Sequence, residues 1–144
     1  MEASLHTNFL SYASLLTVLA NYFEELNSGT IAVIASVAAD RGRKSSYVYG
    51  AAKAGVSAFT NGLRGRCLAS SGVHVVNIKS GMVDTPMTAH LKKGLLFASP
   101  SVVAAGIVKA VQKNRSTVYV PGYWRLVMLV IRSIPEFIFR KTNF

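Results

Sequence analysis

The sequence predicts an α/β fold in which helices cover a parallel β-sheet. Ile31 to Ala35 is a continuous apolar run rich in β-branched residues, as is typical of a strand buried on both faces, and Val73 to Lys79 is predicted to be a second strand. Between them, Tyr47 to Ser70 has the apolar spacing of a helix. A strand, a helix and a second strand in this order need a crossover connection, which makes the two strands parallel.

The other predicted elements continue this alternation along the chain. The first helix is predicted from apolar side chains in i, i+3, i+4 steps, and Asn27, Ser28 and Gly29 end it. Pro100 favours the first turn of a later helix. These elements are a helix over residues 4–26, polar loops over 36–46 and 80–86, a short helix over 88–93, a helix over 100–113 and a third strand over 118–120.

Size and charge exclude several classes of protein. A length of 144 residues with 51% hydrophobic residues predicts one packed domain rather than a disordered chain. The formal net charge of +10 is spread along the chain, with only Arg41, Arg43 and Lys44 close together. This dispersal argues against nucleic acid as a partner, and the charge favours an anionic substrate or an anionic membrane surface.

The cysteine and histidine pattern predicts neither a disulfide nor a metal site. Cys67 is the single cysteine, which fits a reducing compartment and a cytoplasmic location, and the three histidines are isolated from one another. Residues 3–23 carry no formal charge, but polar residues are spread along them and no basic flank precedes them. A buried or interface helix is therefore predicted there rather than a membrane span.

Tyr49 and Lys53 form the strongest chemical motif in the sequence. They lie four residues apart, so a helix brings both side chains to one face. An ammonium beside a phenol stabilises the phenolate, which makes Tyr49 a usable general acid or base near neutral pH. Ser36 precedes Tyr49 by thirteen residues and stands where the strand would end. The alternative is a solvated lysine beside an interfacial tyrosine on an amphipathic helix.

The pattern Gly29-Thr-Ile-Ala-Val-Ile-Ala-Ser36, followed by Tyr49-Gly-Ala-Ala-Lys53, resembles the short-chain dehydrogenase/reductase family. The resemblance implies that Tyr49 donates a proton to a substrate carbonyl, that Lys53 also holds the nicotinamide ribose, and that Ser36 hydrogen-bonds the substrate oxygen. Asn8 is similar to the family's helix asparagine, which holds a water in a proton relay to the lysine. As alternatives, Ser36 would bond its own loop, and Asn8 would cap its helix or face solvent.

The segment after the second strand resembles the family's Pro-Gly-x-Val-x-Thr loop, which holds the nicotinamide carboxamide. The cofactor-binding residues that the resemblance implies are Tyr49, Lys53, Gly81, Val83 and Thr85. Ser80 stands where proline is usual. Without proline the backbone angle φ at this position is less restricted and the backbone gains an N–H donor. A softer loop with weaker nicotinamide binding is therefore expected. An alternative role for Thr85 is the N-cap of the next helix, and the two roles can coexist.

The glycine-rich turn that binds the cofactor pyrophosphate is absent from the sequence. No Gly-x-x-x-Gly-x-Gly or Gly-x-Gly-x-x-Gly stretch occurs. Residues 1–144 are therefore expected to be the C-terminal catalytic portion of a partial Rossmann-like, doubly wound parallel sheet whose N-terminal half is absent. The implied reaction is NAD(P)H-dependent reduction of a carbonyl or oxidation of an alcohol. The chain alone is expected to bind NAD(P)H poorly and to be inactive.

Several segments look most like reductases that act on decaprenylphosphoryl-2-keto pentose and their uncharacterised relatives. The segments are Ser36 to Arg43, Ser46 to Gly50, Pro121 to Arg125 and Ile134 to Phe137. This resemblance implies a substrate in which a sugar is joined through phosphate to a long lipid. Arg41, Arg43 and Lys44 would receive the phosphate at the entrance of the site, or would be solvated loop charges.

The tail over residues 122–144 is predicted to form an amphipathic helix. Its apolar stripe consists of Trp124, Val127, Met128 and Ile131. Arg125 and Arg132 lie on another face, and the apolar run from Leu126 to Ile131 is too short to span a bilayer. One interpretation places the stripe in the headgroup layer at the inner face of a membrane. The other is a helix that closes the core or forms a subunit contact.

Two alternatives to catalysis follow from the same sequence. Helices over 4–26 and 47–70 resemble the family's dimerisation pair, so a homo-oligomer is expected. The same helices would let the chain dock onto an intact homologue as a non-catalytic interaction fragment. The second alternative is a peripheral membrane-binding remnant that uses the basic tail.

Overall fold

The computed structural model describes residues 1–70 and 72–142, except for the side chains of residues 69 and 70. The first helix, α1, runs without a break through Glu2–Leu5, a π-helical turn at His6–Leu10 and Ser11–Glu25. The other helices are α2 (Tyr47–Ser70), α3 (Pro100–Gln112), α4 (Trp124–Ser133) and α5 (Glu136–Phe139). The strands are β1 (Gly29–Ser36), β2 (Val73–Ser80), β3 (Met82–Val83), β4 (Phe97–Ala98) and β5 (Thr117–Val120).

The main sheet is parallel, with its strands in the order β1–β2–β5. Its register pairs Ser36 with Ser80 and Ser80 with Val120, so the three strands end in one row. Open α/β sheets place their binding crevices at the carboxyl ends of such strands. The predicted α/β class, with a parallel sheet and flanking helices, is confirmed.

Each face of the sheet has its own apolar core. On one face, α1 and α2 pack against β1 and β2 through Leu16, Ala20, Ile31, Val33, Val56, Leu63, Val73 and Val75. On the other face, α3 packs against β2 and β5 through Val76, Ile78, Val103, Ala110 and Val120. Strand β2 contributes Val73 and Val75 to one core and Val76 and Ile78 to the other, as expected of a strand buried on both faces.

The predicted helix over residues 88–93 is wrong. The structure instead has a 3₁₀ turn at Pro86–Thr88, and β3 pairs in parallel with β4, a pairing that the sequence does not indicate. The Thr88 hydroxyl donates to the Val83 carbonyl at 2.6 Å, which gives the backbone a local alternative to a helix. The predicted polar loop over 36–46 also begins with a 3₁₀ turn, at Val37–Ala39.

Helix α4 docks on the rest of the chain through the predicted apolar stripe. Trp124, Met128 and Ile131 are 1%, 3% and 6% exposed, and they pack with Val37 and Phe139. The stripe therefore closes a core, and the interpretation that places these side chains in a lipid headgroup layer is wrong. Among the described residues, every helix is too short or too polar to span a bilayer.

We expect Trp124→Ala to lower the free energy of unfolding by about 3–5 kcal/mol, because a fully buried indole leaves a large cavity. The matched control is Leu129→Ala in the same helix, whose side chain is 62% exposed. Its cost should not exceed about 0.5 kcal/mol. Urea unfolding of the two variants measures the difference, and equal destabilisation would show that the Trp124 stripe is not the packed face.

Candidate active site

A cavity of about 640 Å³ opens at the carboxyl ends of β1 and β2. Its lining is mostly apolar, and its polar groups include Ser36, Arg43 and Tyr49. Of the predicted catalytic and cofactor-binding residues, those that line this one cavity are Ser36, Tyr49, Gly81, Val83 and Thr85. Two segments far apart in the chain thus form a single site, while Lys53 and Asn8 lie outside its lining.

Ser36 is the last residue of β1 and is 8% exposed. Its Oγ accepts a hydrogen bond from the Ala38 amide at 3.1 Å, because Ser36 caps the 3₁₀ turn at Val37–Ala39. This contact is the loop-bonding role that the sequence left open as an alternative. A serine hydroxyl also carries a separate donor, so Ser36 can hold its loop and donate to a substrate oxygen at the same time.

Helix α2 brings Tyr49 and Lys53 together, with the Lys53 Nζ 5.8 Å from the centroid of the Tyr49 ring. Lys53 is 5% exposed. Its ammonium donates to the Ile34 carbonyl at 3.3 Å and to the Tyr12 hydroxyl at 3.4 Å. A buried ammonium needs such partners. The alternative of a solvated lysine is therefore wrong.

Asn8 lies in the π-helical turn of α1, and its side-chain amide donates to the Ser4 carbonyl of the same helix at 3.1 Å. Tyr12, one turn further along α1, is the residue whose hydroxyl reaches Lys53. π turns are rare and recur at functional sites. The proton-relay role of Asn8 stays a prediction. Sequence reasoning missed Tyr12, and the available signal was its i+4 spacing from Asn8 on one helix face.

Packing against α4 requires glycine at position 81, since a Cβ there would overlap the indole of Trp124. The Gly81 amide donates to the Val120 carbonyl at 3.0 Å. The Ser80 hydroxyl donates to the Ala35 carbonyl at 3.1 Å. These two bonds tie the loop to β5 and β1, and they oppose the softening that the loss of proline predicts.

Val83 and Thr85 continue the wall that Gly81 begins. Val83 pairs with Ala98 in the short sheet of β3 and β4. Thr85 is the N-cap residue of the 3₁₀ turn at Pro86–Thr88, and its amide donates to the Thr88 hydroxyl at 3.2 Å. The cap position and the cavity-lining position therefore coincide at Thr85.

Arg43 places a second cation near Tyr49. It lines the same cavity as Tyr49. Burial lowers the pKa of Arg43 from its ordinary value, and the interaction with Tyr49 acts in the opposite direction. Since arginine stays protonated in proteins, the site holds Lys53 and Arg43 as two positive charges around one phenol.

A buried network centred on Asp40 joins the loop after β1 to β2 and β5. The Asp40 side chain is 4% exposed and pairs with the Lys79 ammonium. It also accepts a hydrogen bond from the Tyr119 hydroxyl at 2.7 Å. Sequence reasoning missed this network, although a lone carboxylate in the basic 36–46 loop was a signal.

Within the described part of the chain, no group of three or more His, Cys, Asp or Glu side chains could hold a metal ion.

Arg41 extends the network to the C-terminal helices. Its guanidinium donates to the carbonyls of Ile131 and Ile134 at the end of α4. It also pairs with Glu136 at 3.1 Å and lies 3.9 Å from the centroid of the Phe139 ring. A cation is favourable at a helix C-terminus, where carbonyl groups lack partners. Arg41 is therefore a structural contact rather than the entrance charge that the sequence suggested.

We expect Tyr119 to ionise well above the ordinary range of a tyrosine. Burial, together with the hydrogen bond to Asp40, raises the pKa of Tyr119 to about 12. Because the folded-state pKa is the higher one, the stability contributed by Tyr119 is full below about pH 10 and is lost as the pH rises towards the folded-state value. Ultraviolet titration of tyrosinate, taken as the difference between the wild type and Tyr119→Phe, measures this pKa.

Asp40→Asn is the matched variant, since it keeps the shape of the side chain and removes its charge. It should move the Tyr119 titration to lower pH, because the hydroxyl no longer faces a carboxylate. A Tyr119 titration near pH 10 in the wild type, or one that Asp40→Asn leaves unchanged, would contradict the network.

Curated proteins similar to this chain are uncharacterized oxidoreductases. Over 139 residues it is 34% identical to the uncharacterized oxidoreductase Rv2073c of Mycobacterium tuberculosis, which covers 96% of this chain and 55% of that relative. Over 118 residues it is 38% identical to an uncharacterized oxidoreductase in the mprA 5′ region of Streptomyces coelicolor, covering 82% and 46%. The chain thus spans about half the length of the curated relatives it matches.

Solved structures share the fold. A short-chain dehydrogenase from Burkholderia cenocepacia in complex with NADP superposes with a TM-score of 0.82 at 17% identity, covering 92% of this chain and 56% of that one. A short-chain dehydrogenase from Sphingobium yanoikuyae in complex with NADPH gives a TM-score of 0.70 at 18% identity, covering 90% and 55%. At these identities the likeness establishes the fold alone.

The sequence match covers the predicted catalytic and cofactor-binding residues that line the cavity. The family model described as short chain dehydrogenase matches residues 1–95. This range contains Ser36, Tyr49, Lys53 and the loop from Gly81 to Thr85. With the parallel sheet and the site at its carboxyl edge, this match shows that the chain belongs to the short-chain dehydrogenase family.

Proposed function

We propose that this chain carries the catalytic residues of an NAD(P)-dependent oxidoreductase that reduces a carbonyl group or oxidises the corresponding alcohol. The observation that carries the proposal is the shared cavity of Ser36 and Tyr49, with the Lys53 ammonium buried 5.8 Å from the Tyr49 ring. The solved structures of the same fold hold NADP and NADPH, which supports a nicotinamide cofactor.

Each polar residue has a role that its surroundings support. In the reducing direction, Tyr49 donates a proton to the substrate oxygen while Ser36 hydrogen-bonds the same atom. Lys53 and Arg43 stabilise the phenolate that remains, because the Lys53 ammonium lies 5.8 Å from the Tyr49 ring centroid and Arg43 lines the same cavity. The proton is then replaced through Lys53, by a relay that includes the Tyr12 hydroxyl and a water held by Asn8.

The residues present fit the nicotinamide end of the cofactor. Gly81, Val83 and Thr85 line the same cavity as Tyr49, and the bonds of Gly81 and Ser80 to neighbouring strands hold their loop in place. When bound there, nicotinamide supplies or accepts the hydride. The sequence holds no glycine-rich turn for the pyrophosphate. The chain therefore contributes one end of a cofactor site.

We infer a lipid-linked sugar as the substrate, from the segment resemblances and from the nature of the cavity. The cavity wall is mostly apolar, with Met82, Met87 and Leu91 among its lining residues. Such a wall suits a substrate that carries a hydrocarbon chain. Arg43 supplies a positive charge beside Tyr49 in the same cavity, which suits an anionic linkage.

We also propose a homo-oligomer formed through α1 and α2. Large apolar side chains on the outer surface of these helices are exposed, namely Leu15 (60%), Val18 (64%), Tyr22 (56%) and Leu68 (63%). Leu15, Val18 and Tyr22 share one face of α1 by their helical spacing, and an exposed apolar face of this kind marks protein interfaces. These exposed apolar side chains support the dimerisation role that the family resemblance implies for α1 and α2.

A second candidate function is docking onto another dehydrogenase chain without catalysis. Strand β1 is an edge of the main sheet, and Ala32 and Ile34 are exposed on it. A groove of about 330 Å³ runs between β1 and α1. An open edge strand presents unpaired backbone groups to an incoming strand. Turnover by a complex with an intact homologue that does not depend on Tyr49 would favour this function over catalysis.

The Tyr49 assignment is tested in a chimera that joins the N-terminal half of the Mycobacterium tuberculosis relative to this chain. Tyr49→Phe should lower turnover at least about 100-fold, because the substitution removes the hydroxyl that donates the proton. Binding of NADPH should persist, since the contacts of Lys53 remain. The matched control is Tyr47→Phe, two residues away and 64% exposed, which should leave turnover unchanged. Turnover of Tyr49→Phe within about threefold of the parent would refute the acid–base role.

The purified 144-residue chain should give no binding heat with NADPH at micromolar concentrations. It holds residues for the nicotinamide end and no glycine-rich turn for the phosphates. Calorimetric titration of the chain beside the chimera makes the comparison, with the chimera expected to bind. Micromolar affinity of the chain alone would show that the described residues hold more of the cofactor than one end.

A further inference from the structure

Helix α4 is apolar on two opposite faces. One face consists of Trp124, Met128 and Ile131, and it is buried against the rest of the chain. The helical period places Leu126, Leu129 and Val130 on the opposite side. These three side chains are 67%, 62% and 63% exposed. The packed core therefore accounts for only half of the apolar surface of α4.

An apolar face of a helix is normally covered, so a helix that is apolar on two opposite faces needs a contact on each. The next helix, α5, adds to the uncovered surface, because Phe137 and Ile138 are 61% and 46% exposed while Phe139 is buried. We call Leu126, Leu129, Val130, Phe137 and Ile138 the outer apolar set. Leu126, Leu129 and Val130 stand at i, i+3 and i+4 and are therefore neighbours on one helix face. An exposed apolar patch of this kind marks a site of contact with a membrane or a protein.

The charges beside the outer apolar set favour a membrane. Helix α4 contains Arg125 and Arg132 and no acidic residue. Arg140 and Lys141 follow α5, and all four cations are exposed. The one carboxylate of this segment, Glu136, pairs with Arg41. Residues 122–142 thus carry four positive charges against one negative charge that already has a partner.

We propose that the outer apolar set is the surface through which this chain binds an anionic lipid membrane. Leu126, Leu129 and Val130 lie at the boundary between headgroups and acyl chains, as the apolar face of an interfacial helix does. Arg125, Arg140 and Lys141 meet the anionic headgroups. Trp124 stays in the protein core. The proposal does not rest on the proposed catalytic function and would survive its failure.

The experiment is co-sedimentation of the purified 144-residue chain with vesicles. Vesicles of phosphatidylcholine mixed with phosphatidylglycerol should pellet the chain at low salt and release part of it at high salt, because salt screens the attraction. Vesicles of phosphatidylcholine alone should pellet much less. Emission of Trp124 should stay unchanged on binding, since the indole is already 1% exposed.

Two pairs of matched variants identify the surface. Leu129→Glu should lower vesicle binding at least about tenfold, whereas Val108→Glu, at a position 55% exposed on α3, should change it little. Arg125→Gln with Lys141→Gln should lower it by about fivefold per charge at low salt. Lys109→Gln with Lys113→Gln, which removes two exposed cations from the region of α3, should have a smaller effect.

Three results would overturn the proposal. The first is equal loss of binding in Leu129→Glu and Val108→Glu, which would mean general charge attraction without this surface. The second is binding that does not depend on anionic lipid. The third is self-association, measured by sedimentation velocity without lipid, that Leu129→Glu abolishes, which would assign the outer apolar set to a second copy of the chain. Circular dichroism of each variant checks that the helices are retained.

Discussion

The buried carboxylate of Asp40 is the interaction on which the geometry of the candidate site depends. Asp40 lies in the loop that connects Ser36 to Tyr49, and its partner Lys79 directly precedes the segment that begins with Ser80. This ion pair therefore links the two segments that carry the walls of the cavity. Removing one partner of a buried pair leaves an uncompensated charge and typically costs about 3–5 kcal/mol. The positions of the two cavity walls thus depend on Asp40, although Asp40 itself does not line the cavity.

Close packing of α2 sets the second constraint. A Cβ at position 50 would lie 3.1 Å from the Ala38 carbonyl oxygen, and a Cβ at position 55 would lie 3.0 Å from the Phe9 ring. These small residues let α2 lie against α1 and the loop after β1, so Tyr49 faces the cavity while Lys53 is buried beneath it. The burial of Lys53 is tolerated because the Ile34 carbonyl and the Tyr12 hydroxyl accept hydrogen bonds from its ammonium.

The sequence predicts the elements whose signals are local. Helix α2 and the strands β1, β2 and β5 follow from apolar runs and their period, and the Tyr49–Lys53 pair follows from helical spacing. The contacts that complete the site are not local: Lys53 meets Tyr12 across 41 residues, and Tyr119 meets Asp40 across 79. No periodicity encodes such pairs. The helix wrongly predicted over 88–93 failed for a different reason, because the Thr88 side chain bonds the nearby Val83 carbonyl and gives the backbone a local alternative to a helix.

The tail shows a different limit of sequence reasoning. Its pattern predicts the stripe of Trp124, Val127, Met128 and Ile131 but cannot say whether that stripe packs on the core or lies at a membrane, since both uses need the same period. The structure resolves this through the Trp124 indole, which packs on Gly81, and through Arg41, which holds the end of α4. Helix α4 is therefore at once a wall of the cavity and the carrier of an exposed apolar surface. A partner that binds this exposed surface would contact the same helix whose Trp124 side chain packs directly on Gly81, in the loop that lines the candidate site.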